Sequence, residues 1–463
     1  MTIFFHAQKP ATIHLLMLLI FFLGLAKLGF FLAGTSAAAD TIFAPDSSSY
    51  IHTAQALQKN GTCSVSVEQP ERPQLLRTPG YPLFIRIFLP CSSTYRALII
   101  VQILLSLGTI VLAYFLALQF WPPAAALLSA GLLALDIASF VNSEQILSDT
   151  LFTFLLTGSV LIGVYALKSP HVLLITFHSI LLACATLVRP ISYYLIPALL
   201  ILFTAHWAWK RNWSRKSIFL GGSLLLLPWM LLVGGWQVRN YLVAGTGEFS
   251  TIQGVNLLFY RGAGIIALRD SISLEDAQTA LGYGHYTASH PEMTDWSQGQ
   301  LAAHWKHEGM GLIRHYPGLF LKSQFHGLIK MLFDPADYMF WKFLGNYSEQ
   351  TGPLRDFFEL SAAAYWTKWV RERSSLFLSF VLAESYLLLM YAGSLFSLCW
   401  IQRHRADWGY HHIFIWSVII YFLLLSAGPE AYARFRIPLM PVLSVYAGHG
   451  IFRGAFKVSK IFF

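Results

Sequence analysis

Five arginines stand where apolar stretches begin or end. They are Arg77 in Arg77-Thr78-Pro79-Gly80-Tyr81-Pro82, Arg189 before Pro190, Arg239 before Asn240, and Arg434 and Arg436 in Arg434-Phe435-Arg436-Ile437-Pro438. One such guanidinium could simply pair with a lipid headgroup. Several at the mouths of different helices suggest capture of an anion. A planar guanidinium donates two parallel hydrogen bonds and keeps its charge when partly desolvated, which suits phosphate. A phosphate held at that depth implies a lipid phosphate.

Carboxylates lie near the same points. Asp46, in Ala44-Pro45-Asp46-Ser47-Ser48-Ser49-Tyr50, precedes Tyr50, Ala54 and Leu57 at helical spacing, so an N-cap is its plain role. A general base at a membrane surface is the alternative. In Asn142-Ser143-Glu144-Gln145-Ile146-Leu147-Ser148-Asp149, either Ser148 or Asp149 would cap the next helix, which leaves Glu144 unexplained. Glu144 and Asp149 with Asp46 could bind a divalent cation, although no spacing rule demands it. The two prolines around Gly80 form a rigid turn that could present Arg77 and Tyr81 to a ligand. Asp136 and Glu384 fall inside apolar segments, where a packing hydrogen bond is as fair a reading as a functional one.

The elements that must carry these residues follow from composition. Of 463 residues, 56% are hydrophobic and 12% charged, about half the charged share of a soluble domain. The mean hydropathy of +0.54 excludes disorder and an ordinary cytosolic enzyme. A lipid-solvated, all-α chain remains. Runs of about 20 apolar residues predict ten crossings: Ile13–Ala33, Leu98–Ala117, Ala124–Val141, Leu151–Leu167, Val172–Val188, Ser192–Trp207, Ile218–Gly235, Leu376–Trp400, Ile413–Ala427 and Ile437–Phe452. The first is longer than a signal-peptide core, which favours a retained helix although Ala37-Ala38-Ala39 resembles a cleavage site.

With a cytoplasmic N-terminus, the cytoplasmic segments hold Lys9, Lys168, Lys210, Arg211, Arg215, Lys216, Arg403, Arg405, Arg453, Lys457 and Lys460. That arrangement satisfies the positive-inside bias and accounts for the net charge of +9 without nucleic acid. Two large loops, 34–96 and 236–375, then face outside. The chain divides into a membrane module with the first loop (1–235), the second loop region (236–375), and the C-terminal helices with their tail (376–463).

Ser273-Leu274-Glu275-Asp276 resembles a capping box and starts a helix in the second loop. Leu321, Phe325, Leu328, Ile329 and Leu332 form an apolar stripe opposite Lys322, His326 and Lys330, which predicts an interfacial helix. His304 and His307 are three apart, but without a third ligand they read as surface histidines. Cys63 and Cys91 share an outer loop and could form a disulfide. No CxxC, GxGxxG or Walker pattern is present.

Taken in order, Asp46, Arg77-Thr78-Pro79-Gly80-Tyr81-Pro82, Ser143-Glu144 with Asp149, Arg189-Pro190, Arg239-Asn240 and Arg434-Phe435-Arg436-Ile437-Pro438 resemble the GT-C membrane glycosyltransferases. The branches that come nearest are the protein mannosyltransferases and the lipid A aminoarabinose transferases. The resemblance implies a GT-C-like fold in a bacterial inner membrane, with an active site facing the periplasm or exterior. It implies transfer of a sugar, with inversion, from an undecaprenyl- or dolichyl-phosphate donor to an extracytoplasmic acceptor (glycan, lipid or protein). By the same resemblance Asp46 activates or steers the acceptor hydroxyl. Arg77, Arg189, Arg239, Arg434 and Arg436 bind the donor phosphate, and Tyr50, Tyr81, Glu144, Asp149 and Asn240 contact substrate or a metal. Those branches often carry Asp-Glu where this chain has Asp46-Ser47, so the donor sugar and any metal ligand stay open. The rival reading is a multi-pass transporter or flippase, which would show an internal repeat and charges near the midplane. No repeat is visible, and the polar residues gather on one side.

Overall fold

The computed structural model describes residues 10–91, 94–209, 213–347, 353, 356–357, 360–404 and 409–462, the last stretch with side chains to 455. Lys9, Lys210, Arg211 and Arg405 lie outside the described residues, as do the side chains of Lys457 and Lys460. Among the described residues no strand forms. One antiparallel bridge joins Ser64 to Pro73.

Among the described residues, six helices are long and apolar enough to cross a membrane: Pro10–Ala37, Arg96–Ala117, Asp149–Lys168, Pro190–Trp209, Arg215–Ala244 and Ser374–Arg403. Pro123–Ala134, Val172–Val188 and Tyr410–Ser426 are shorter apolar helices, and Met440–Phe462 closes the chain. Phe22, Phe219, Leu231, Leu242 and Leu382 all point outward and are well exposed. Apolar surface on that scale needs a lipid solvent, so the protein is an integral membrane protein.

Three boundaries differ from the sequence reading, each for a local reason. The expected span Ala124–Val141 is two helices, Pro123–Ala134 and Ile137–Asn142. Asp136 breaks the run by capping the second, accepting from Ser139 N at 2.9 Å. The seventh helix does not stop at Gly235 but continues through a π-helical turn to Ala244, so Arg239 and Asn240 lie on it and not after it. The segment Ala433–Leu439 is a 3₁₀ turn, and the last helix begins at Met440 beyond Pro438. The stretch read as an interfacial helix follows Gln298–His315 as a separate, unbroken helix, Pro317–Phe333. In the latter, Ser323, Gly327 and Met331 face the protein while Leu321 and Phe325 face out.

Small residues bring the last helix into the core. A Cβ on Gly450 would collide with Gly393 O, and one on Gly448 would collide with Ser129 Oγ. Such close backbone approach is how helices pack where lipid removes the hydrophobic drive between them. This packing holds Ala433–Leu439 against the ends of the neighbouring helices, at the same end as the 142–148 linker.

Backbone contacts bring the other site segments to that end. Ser47 Oγ donates to Ile146 O at 2.8 Å, and Ile146 N donates to Ile42 O at 2.8 Å. Thr78 Oγ1 donates to Val188 O at 3.2 Å. Gly80 sits so close to the chain at Leu187 and Val188 that a Cβ there would meet Leu187 C at 2.7 Å. The turn containing Arg77 is thereby locked beside the one containing Arg189.

Candidate active site

Asp46 stands at the N-cap position of helix Ser47–Lys59, yet its side chain makes no capping bond. It turns to two arginines instead. Arg77 Nη2 donates to Asp46 Oδ1 at 2.7 Å, and Arg434 Nη1 donates to Asp46 Oδ2 at 2.8 Å. Asp149 likewise leaves the capping role. It opens helix Asp149–Lys168 but accepts from Arg434 Nε at 2.8 Å and from Arg189 Nη1. The result is one chain of charge: Arg77, Asp46, Arg434, Asp149, Arg189. It draws on five separate parts of the sequence.

Burial and charge set its chemistry. The Asp149 side chain is wholly buried and Arg434 nearly so, while Asp46 keeps 31% of its side chain accessible. Asp46 is therefore the open end of the cluster. Burial by itself would raise the Asp46 carboxyl, but Arg434 and Arg77 outweigh it and hold the group well below the usual carboxylate range. Three guanidiniums face two carboxylates, which leaves one positive charge in partly desolvated surroundings. An anion reaching Asp46 meets arginines already oriented for it.

Neighbouring groups fix the geometry. Arg77 Nε donates to Ser49 Oγ at 2.9 Å, and its guanidinium lies 4.7 Å from the centre of the Tyr50 ring. Tyr50 OH is 3.2 Å from Ser148 Oγ, so Tyr50 touches both halves of the cluster. Gln74 Oε1 accepts from Arg77 N at 3.0 Å, which fixes the turn before Pro79.

The remaining residues singled out in the sequence lie elsewhere. Tyr81 is buried and donates to Gln102 Oε1 at 2.6 Å, so it packs the core and does not present itself to a ligand. Arg239 donates to Gln74 O at 3.0 Å and Cys63 O at 2.5 Å, fastening the first loop. Asn240, buried, donates to Glu248 O at 2.9 Å and accepts from Arg239. Arg436 is fully buried and donates to Met331 O and Asp334 O, with Asp136 at 3.8 Å. These backbone carbonyls hold Arg239 and Arg436 away from the Asp46 carboxylate. Glu144 faces Lys27, not the arginines; neither of its oxygens has a hydrogen-bond partner, and burial pushes it up to about 8 against the pull of Lys27.

Cys63 and Cys91 are not bonded to each other. His304 meets Tyr286 OH at 2.9 Å and His307 lies exposed beside Glu308. Among the described residues no three His, Cys, Asp or Glu side chains come together as metal ligands. Asp46 and Asp149 instead face guanidiniums.

Two residues escaped the sequence reading. Lys27, buried in the first helix, donates to Ser143 Oγ at 2.7 Å and Phe140 O at 3.1 Å, tying that helix to the linker before Asp149. Its signal was present as the lone cation in the apolar run Leu15–Leu32. Asp334 accepts from Ala433 N at 3.2 Å, and nothing in its local sequence marks it.

Residues 76–236 match the family model described as dolichyl-phosphate-mannose-protein mannosyltransferase. That match covers about a third of the chain. The matched stretch contains Arg77, Asp149 and Arg189, while Asp46 and Arg434 lie outside it. Two solved structures align with most of the chain. The archaeal oligosaccharyltransferase AglB from Archaeoglobus fulgidus, in complex with an inhibitory peptide and a dolichol-phosphate, is 12% identical with a TM-score of 0.46 over 92% of this chain and 50% of its own. ArnT from Cupriavidus metallidurans, bound to undecaprenyl phosphate, is 12% identical with a TM-score of 0.35 over 95% of this chain and 78% of its own. The chain thus spans half the length of AglB. No curated protein matches it in sequence.

Proposed function

We propose that the protein transfers a sugar from a polyprenyl-phosphate donor to an acceptor hydroxyl on the outer face of a bacterial inner membrane. The observation that carries this reading is the guanidinium of Arg434 spanning Asp46 and Asp149, with Arg77 and Arg189 at the two ends. Three converging arginines beside membrane-spanning helices fit a lipid-borne phosphate. The match of residues 76–236 to a family described by a dolichyl-phosphate sugar donor supports the same donor class.

The chemistry follows from the cluster. The acceptor oxygen attacks the anomeric carbon while the bond from that carbon to the phosphate oxygen breaks. The electron pair leaves with the lipid phosphate, where Arg77 and Arg434 stabilise the growing charge, an effect often worth about 3 kcal/mol per donor. Asp46 takes the acceptor proton. Held by two arginines it is a weak base, but a phosphate that engages Arg77 and Arg434 draws them away and restores its basicity. Asp46 is thus the resting partner of the arginines and becomes the base once the donor has bound.

The test is transfer by the purified chain in nanodiscs supplied with undecaprenyl-phosphate sugars and a crude envelope acceptor. Asp46→Asn should insert normally and lose transfer. Full transfer by that variant removes the base assignment. Movement of the donor across the bilayer without any transfer would point to the transporter reading instead.

A further inference from the structure

Arg434 reaches both carboxylates only because its backbone is held in place, and the residue that holds it lies about a hundred positions earlier. Asp334 follows helix Pro317–Phe333 and precedes Pro335, which keeps it extended. One of its carboxylate oxygens accepts from Ala336 N at 3.0 Å, and the other accepts from Ala433 N at 3.2 Å. Ala433 is the neighbour of Arg434. On the other side of Arg434, Arg436 Nη1 donates to the backbone carbonyls of Met331, at 3.0 Å, and Asp334. The 3₁₀ turn is therefore gripped before and after Arg434 by the same short segment, Met331–Asp334.

The segment is shaped for this purpose at some cost. Ala336 has a φ of 63°, left-handed backbone that a residue with a Cβ seldom adopts. It packs, wholly buried, with Ala138, Ala433 and Ile437. The Asp334 carboxylate caps the strained amide of Ala336 and the amide of Ala433 together. Strain of this kind persists only where surrounding contacts over-determine it, and here those contacts converge on the Arg434 turn.

We infer that Asp334 is a positioning residue whose carboxylate, through the Ala433 amide, sets the direction in which Arg434 enters the anion site. This rests on the reading of Arg434 as part of a phosphate clamp.

The measurement is the affinity of the full-length protein in nanodiscs for undecaprenyl phosphate, read beside its thermal unfolding midpoint. Asp334→Ala, which removes both acceptors, should weaken binding about tenfold. Asp334→Asn keeps one acceptor and should weaken it less; it also serves if the alanine variant fails to fold. In the Arg434→Ala background, either change at Asp334 should have no further effect on binding, because a residue acting through Arg434 cannot act without it. A residue that merely stabilised the fold would lower the unfolding midpoint and leave affinity untouched. Lost binding in Arg434→Ala with undiminished binding in both Asp334 variants overturns the inference alone. An additive loss in the double variants overturns it as well. Equal binding by wild type and Arg434→Ala overturns the clamp itself, and this inference with it.

Discussion

Asp46 and Asp149 share one guanidinium. Arg434 offers Nη1 to the first and Nε to the second, each at 2.8 Å, and so couples the segment after the first helix to the start of the helix that opens at Asp149. Two carboxylates so placed would repel each other without it. The bridge makes their separation, and the width of the anion site, a property of one side chain.

Replacement of Arg434 should therefore be the most damaging single change to activity. Arg434→Ala should lower sugar transfer by about 10²-fold or more. Arg434→Lys should not restore it, because a single ammonium cannot reach two carboxylates along different edges. Steady-state transfer with a polyprenyl-phosphate sugar is the check, and lysine activity near that of wild type would refute the bridging role.

Asp149 should matter most for stability. Its side chain is wholly buried between Arg189 and Arg434. Asp149→Ala would leave Arg189 without its carboxylate and Arg434 with Asp46 alone, a loss of about 3–5 kcal/mol for a buried pair. Thermal unfolding in detergent should show a large fall in midpoint. A fall of no more than a degree or two would mean that water reaches the pair.

Glu144 should make stability depend on pH. Burial, opposed by Lys27, raises this carboxyl from its ordinary 4.5 to about 8. Between about pH 5 and 8 the folded chain keeps a proton that the unfolded chain releases, so stability falls as pH rises through that window. Glu144→Gln removes this dependence. The variant should match wild type near pH 5 and unfold at higher temperature than wild type near pH 8. Asp46 acts in the opposite sense: its depressed carboxyl contributes stability that is complete above about pH 4 and is lost as pH falls further. A gap between Glu144→Gln and wild type that stays constant with pH would contradict the assignment.

Arg239 should prove to be a fastener of the first loop. It holds the carbonyls of Cys63 and Gln74 and stacks 4.6 Å from the Trp236 ring. Burial pushes the Cys63 thiol up to about 11, against the pull of Arg239, so it reacts slowly in the intact protein. Arg239→Ala should free the loop and speed maleimide labelling of Cys63 by several-fold, with a smaller effect on donor binding than Arg434→Ala. Unchanged labelling would show that other contacts hold the loop.

What could be read from the sequence was what repeats or is chemically costly. Long apolar runs are unmistakable because a bilayer demands them, and arginines beside such runs stand out because lipid penalises charge. Both signals are local. That Asp46 leaves its capping position unused and Asp149 turns away from its own helix is not local, because the competing partner, Arg434, lies 388 residues from Asp46 and 285 from Asp149. Capping rules weigh a side chain against its own helix only. Arg77, Arg189, Arg239, Arg434 and Arg436 look alike in sequence, each beside a helix end. Tertiary structure separated them: three reach carboxylates at one opening, while Arg239 and Arg436 donate to backbone carbonyls elsewhere. A guanidinium goes to whichever acceptor the fold brings within reach, and only packing decides which one that is.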